Sequence, residues 1–229
     1  MSSRRFGGFA GLVFLSAVLP VNIILGAVHL PRAGASKSDV LTFFADHEVA
    51  IGVSTALATI AWFALASYAA GIVAAVRNHE RSSGDSWSLL ALGGAVMQNA
   101  IFASVTAMQA ALGLAALSDD FTWGLWQVHN ALFALNGAAL ALVLVGGSVG
   151  GYRAGLLARW QRTVGLVAAS ALFASALLTP VTLDGHPLGM VGLAGFLLWL
   201  TWIASVSVSL LRGSDRQVGD TPTRVSVTA

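Results

Sequence analysis

Six apolar runs, roughly 8–28, 48–76, 88–117, 124–149, 163–182 and 188–211, carry no charged residue at their middles. Each is about as long as the ~20 residues a helix needs to cross ~30 Å of hydrocarbon, and the longer ones imply tilt. Hydrocarbon offers backbone groups no water, so each run must satisfy its own N–H and C=O groups and be helical. The expected fold is all-α: one domain, residues 1–212, formed by a bundle of six transmembrane helices. The stretch 213–229 is short and polar and reads as a disordered cytoplasmic tail.

Composition agrees with this. Only 10% of the residues are charged and 56% are hydrophobic, with mean hydropathy +0.79, against about 25% charged in an ordinary soluble domain. The chain has no cysteine, which excludes disulfides, thiolate nucleophiles, cysteine-ligated iron–sulfur clusters and Cys-type zinc sites. Arg4 and Arg5 precede the first run as in a signal peptide, but no A-x-A-type cleavage site follows it, so it reads as a retained helix.

Charge sets the orientation. With the N-terminus inside, Arg4, Arg5, Arg77, Arg81, Arg153, Arg159, Arg162, Arg212, Arg216 and Arg224 face inward, and Arg32 and Lys37 face outward. Ten against two is a strong positive-inside bias, and both termini are expected in the cytoplasm. The basic pI of about 9.7 therefore reads as membrane orientation and not as nucleic-acid binding. Arg supplies eleven of the twelve basic residues, a bias compatible with a GC-rich bacterial genome, so the expected location is a bacterial inner membrane, multi-pass.

The charge-free middles also bear on function. Pumps, proton-coupled transporters and voltage sensors keep ionisable groups at membrane depth, so those classes are disfavoured. The polar groups lie instead toward the outer side. In the first outer loop Ser38 is expected to cap a short helix, whose apolar face, Val40, Leu41, Phe43 and Phe44, would rest on the membrane surface. His47 and Glu48 open the second span.

The third and fourth spans carry amides. Gln98 and Gln109 share one helix face, and Asn99 and Thr106 share the neighbouring stripe. The segment DDFTWGLWQVHNALFALN begins at Asp119 and holds Trp126, Gln127, His129, Asn130 and Asn136. A short connection makes these spans antiparallel neighbours, and the expected pairings are Gln109 with His129 and Thr106 with Asn136. Two readings follow. In one the polar side chains form interhelical hydrogen bonds; in the other Gln98, Asn99, Thr106, Gln109, Trp126, Gln127, Asn130 and Asn136 line a pocket that orients the polar end of a hydrophobic molecule.

For acid or base chemistry the candidates are Asp46, Glu48, Asp119, Asp120, His129 and Asp184, because a carboxylate beside an apolar cavity has its pKa raised by desolvation. For a divalent metal the candidates are His47, His129 and His186, with Glu48 and Asp184 as carboxylate ligands, and a bis-His haem would pair His129 with His29 or His47. No His-Glu-x-x-His pattern supports that second set.

The first outer loop ends in an amphipathic segment and a His before the next span, and Ala158-Arg159-Trp160-Gln161-Arg162 forms a basic, Trp-bearing turn before the fifth. In these features the chain resembles a broad group of small six-span bacterial integral membrane proteins with no established activity. The resemblance implies a topology and no catalytic residues. The functional readings are thus three: a membrane enzyme or binding protein with an outward-facing pocket for a lipid- or isoprenoid-like molecule; a haem- or metal-binding redox protein; and a subunit that packs, as a homo-oligomer or in a larger membrane complex, through small-xxx-small faces such as Gly7/Gly11, Gly146/Gly150, Gly147/Gly151 and Gly151/Gly155.

Overall fold

A computed structural model describes residues 1–113 and 118–212. In chain order the helices are α1 (Ser3–Ala27), α2 (Lys37–Asp46), α3 (Glu48–Ser83), α4 (Trp87–Leu112), α5 (Asp119–Arg153), α6 (Arg159–Leu177), α7 (Thr179–Thr182) and α8 (Met190–Arg212), with a 3₁₀ turn at Pro187–Gly189. All regular elements among the described residues are helical. Five stretches are long and apolar enough to cross a membrane: α1, α3, α4, α5 and Pro187–Arg212, which contains α8. The fifth run, α6, is not among them, because Gln161 and Arg162 near its start lower its hydropathy. The end of the third run, 114–117, and the tail, 213–229, lie outside the described residues.

The six longer helices close into a ring in which α1 packs on α3, α3 on α4, α4 on α5, α5 on α6, α6 on α8 and α8 back on α1. Trp202, Tyr68, Leu144, Ile203 and Leu210 fill its middle, each under 2% exposed. Glycines set the approach of the helices. Gly7 of α1 lies directly against Gly71 of α3. On the α4–α5 face a Cβ at Gly94 would stand 2.7 Å from the backbone nitrogen of Val143, and one at Gly146 would run into Trp87 O and Ala91 N. Dispersion between close backbones is the main attraction available to helices in lipid, which is why small residues occupy these positions.

Two sequence expectations change here. Helix α2 does not lie on the membrane surface: Val40, Phe43 and Phe44 are buried, in one cluster with Ile51, Leu112 and Trp126. It caps one end of the ring, its side chains packing against Ile51 of α3, Leu112 of α4 and Trp126 of α5, with Leu25 of α1 beside them. Its own cap is Ser36, whose Oγ accepts from Asp39 N at 3.2 Å, and not Ser38. The fifth run is also broken. Pro180 cannot donate the hydrogen bond that would continue α6, and the chain turns at Leu178 into the single turn α7.

Candidate functional site

Helices α4 and α5 are antiparallel, and their register is fixed by Phe102 beside Phe133, ring centroids 6.3 Å apart, and by Gly94 against Ala139 and Val143. Four residues along from that aromatic contact Thr106 stands level with His129. Three residues the other way Asn99 stands level with Asn136. The expected pairings, Gln109 with His129 and Thr106 with Asn136, are displaced by one and two turns, because α4 ends at Leu112 and α5 begins at Asp119, ends that the apolar runs 88–117 and 124–149 do not mark. Counting ~1.5 Å per residue from Asp119 puts His129 about 15 Å and Asn136 about 25 Å along the helix.

These side chains are deeply covered. Gln98 and Thr106 are 3% exposed, His129 and Asn136 are 5%, and Trp126 is 1%. Asn99, Gln109, Gln127 and Asn130 are half-buried. Within this seam one hydrogen bond between helices is made among the described residues: Asn99 Nδ2 donates to the Trp62 carbonyl of α3 at 3.2 Å. The others are not used as glue. Gln98 Oε1, Asn99 Oδ1, Gln109 Nε2, His129 Nδ1 and Asn136 Oδ1 are buried without a partner, as are Ser54 Oγ and Trp62 Nε1 on α3. Each such atom costs about 1–3 kcal/mol against a satisfied one.

Aromatic rings roof the seam. The His129 imidazole is stacked with Trp126 at 4.9 Å and runs parallel to Phe133 at 6.3 Å. Above them Phe44 of α2 meets Trp126 edge-on at 5.5 Å, and Phe43 stacks on His47 at 4.6 Å. The rings thus run from the α2 end down to Phe133, which is 56% exposed on the outside of the bundle.

The remaining candidates lie elsewhere. Asp46, Glu48, Asp119, Asp120 and Asp184 are all exposed; Asp120 accepts from Lys37 Nζ at 2.6 Å, an ion pair that ties α2 to α5. Asp46 and His47 line a cleft of about 380 Å³ with His29 and Asp39, and they also line a second, of about 600 Å³, with Ile24 and Glu48. These clefts flank α2 and are lined by none of the seam residues. His47 Nδ1 bonds the Phe43 carbonyl at 2.9 Å, and His186, exposed, accepts from Leu188 N at 3.3 Å. Among the described residues no three His, Asp or Glu side chains converge as metal ligands, so His47, His129 and His186 are three separate environments.

Sequence reading missed several groups. Glu80 is a buried carboxylate at the opposite end of the ring from α2: its Oε1 accepts from Ser88 N at 2.6 Å and its Oε2 from Ser88 Oγ. It satisfies a free N–H in the first turn of α4, where negative charge is favourable. Nearby, Arg153 of α5 grips both oxygens of Asp85, at 2.7 and 2.9 Å, and lies over the Trp87 ring. The guanidinium holds the Asp85 carboxyl below its ordinary range, chiefly through this hydrogen bond. Tyr68, Ser148, Trp202 and Ser207, fully buried in the ring's middle, also have polar atoms without partners. Single Ser and Tyr residues in apolar runs gave no sign of this. Comparison with family models, with curated proteins and with solved structures returns no match.

Proposed function

We propose that the chain is a six-span inner-membrane protein that binds a hydrophobic, lipid- or isoprenoid-like molecule, with the molecule's polar end in the seam between α3, α4 and α5. The observation that carries this reading is the set of unpartnered atoms on Gln98, Gln109, His129 and Asn136. Amides retained in hydrocarbon merely to join helices would be bonded across the interface, and these are not. A ligand's head group would complete those on Gln98 and Asn136, which lie at one level of the seam. The seam is closed in this conformation, so entry requires α2, with Phe44 on Trp126, to lift or α4 and α5 to part at Phe133.

The crossing that brings the five to six is α6, whose 19 residues span about 28 Å at ~1.5 Å per residue, and which packs between α5 and α8. The N-in, C-in orientation rests on the ten-to-two basic count. The exposed carboxylates stand outside the seam, so the reading is of a binding protein; acid–base catalysis by Asp46, Glu48, Asp119, Asp120 or Asp184 has no supporting contact.

Native mass spectrometry of the protein extracted from its own membrane tests the reading. A stoichiometric adduct of lipid-like mass, lost in a Gln98→Leu/Asn136→Leu double variant, is expected. Wild-type protein free of any adduct, or an adduct that the variant retains, would overturn it.

A further inference from the structure

We infer that the molecule held in the seam carries an uncharged head bearing a hydroxyl group, and that phosphate, carboxylate or ammonium heads are rejected; the inference rests on the binding reading above. Two facts carry it. The first is charge: Val49–Val76, Trp87–Ser118 and Phe121–Tyr152 contain no Asp, Glu, Lys or Arg, so α3, α4 and α5 offer an ionic head no counter-charge at the seam's depth. A buried unpaired charge is far costlier than a buried neutral polar group.

The second is the balance of unpartnered atoms. Trp62 Nε1, on the residue whose carbonyl Asn99 bonds, is a donor and needs an acceptor. Gln98 Oε1, Asn99 Oδ1 and Asn136 Oδ1 are acceptors and need a donor. An amide drawn with its oxygen and nitrogen exchanged still leaves both kinds present. A ketone or ether accepts only, whereas a hydroxyl both donates and accepts, and so answers both sets.

The test uses the full chain in detergent with three probes: a long-chain prenyl alcohol, its phosphate monoester, and the hydrocarbon lacking the hydroxyl. Affinity is read by native mass spectrometry titration. The alcohol is expected to bind at least about tenfold more tightly than either other probe, a gap of about 1.4 kcal/mol, and Asn136→Leu is expected to erase the gap to the hydrocarbon. Equal or tighter binding of the phosphate would overturn the head-group assignment while leaving a lipid-binding seam. Failure of all three to bind would overturn the seam as a ligand site as well. An alcohol preference that Asn136→Leu and Gln98→Leu leave intact would also overturn the assignment, because the hydroxyl would then sit elsewhere.

Discussion

The imidazole of His129 lies nearly flat on the indole of Trp126, 4.9 Å between centroids and 14° between planes, and both rings are at most 5% exposed. Within the stretch Phe121–Tyr152, which has no charged residue, this stack makes His129 a packing element with one polar atom to spare. His129→Phe should therefore retain stability, since the stack survives and the unpartnered Nδ1 disappears. His129→Ala should cost on the order of 2–4 kcal/mol by leaving a cavity under Trp126. Thermal unfolding of the two variants in detergent separates these outcomes.

The absence of cysteine gives a clean background for topology. Single substitutions Ser38→Cys and Asp184→Cys should react with a membrane-impermeant maleimide on intact cells. Gly84→Cys and Arg159→Cys should react only after permeabilisation. Labelling at Arg159→Cys from outside would reverse the orientation argued from the arginines.

The Asp85–Arg153 contact gives a pH dependence with a definite sign. The guanidinium lowers the folded-state pKa of Asp85, so the contact adds stability above the unfolded value, about 4, and loses it as pH falls through the lower, folded value. Asp85→Asn should therefore flatten the acid side of the stability profile below about pH 4, where wild type declines. Parallel profiles for the two proteins would show that the contact contributes nothing.

Glu80 was legible in sequence only as one more charge at the inner side; that it folds back onto the first turn of α4 depends on the Gly84 turn, which holds φ 74°. Glu80→Ala should cost about 1–2 kcal/mol, the worth of a helix cap, and Glu80→Gln less, since its side-chain oxygen can still accept from Ser88 N. Chemical or thermal unfolding reads the difference.

What sequence disclosed, and what it did not, follows from the physics of each feature. Apolar length and absent charge disclose helices because hydrocarbon tolerates little else. The position of α2 was not legible: an amphipathic decamer with Val40, Phe43 and Phe44 on one face has the same pattern whether it faces lipid headgroups or the open end of a ring. The amides of α4 and α5 were legible as a group, since Gln98, His129 and Asn136 stand out in apolar runs. Their pairing was not, because it depends on where α4 ends and α5 begins, and the apolar runs mark neither Leu112 nor Asp119 as an end. Nor can a pattern show whether two amides meet; that Asn99 bonds Trp62 O while Gln98 and Asn136 keep unpartnered atoms is a property of the packed helices.

The central claim is that the seam's amides serve a ligand and not the bundle. The most direct measurement is the melting temperature of Asn136→Leu against wild type, both freed of lipid in detergent. If Asn136 is unpartnered in the empty protein, Leu removes a buried polar group of similar size, and the variant should melt at the wild-type temperature or up to about 2–4 °C above it per kcal/mol gained. A variant that melts lower by that amount or more would mean that Asn136 holds the helices together, and the account would be wrong.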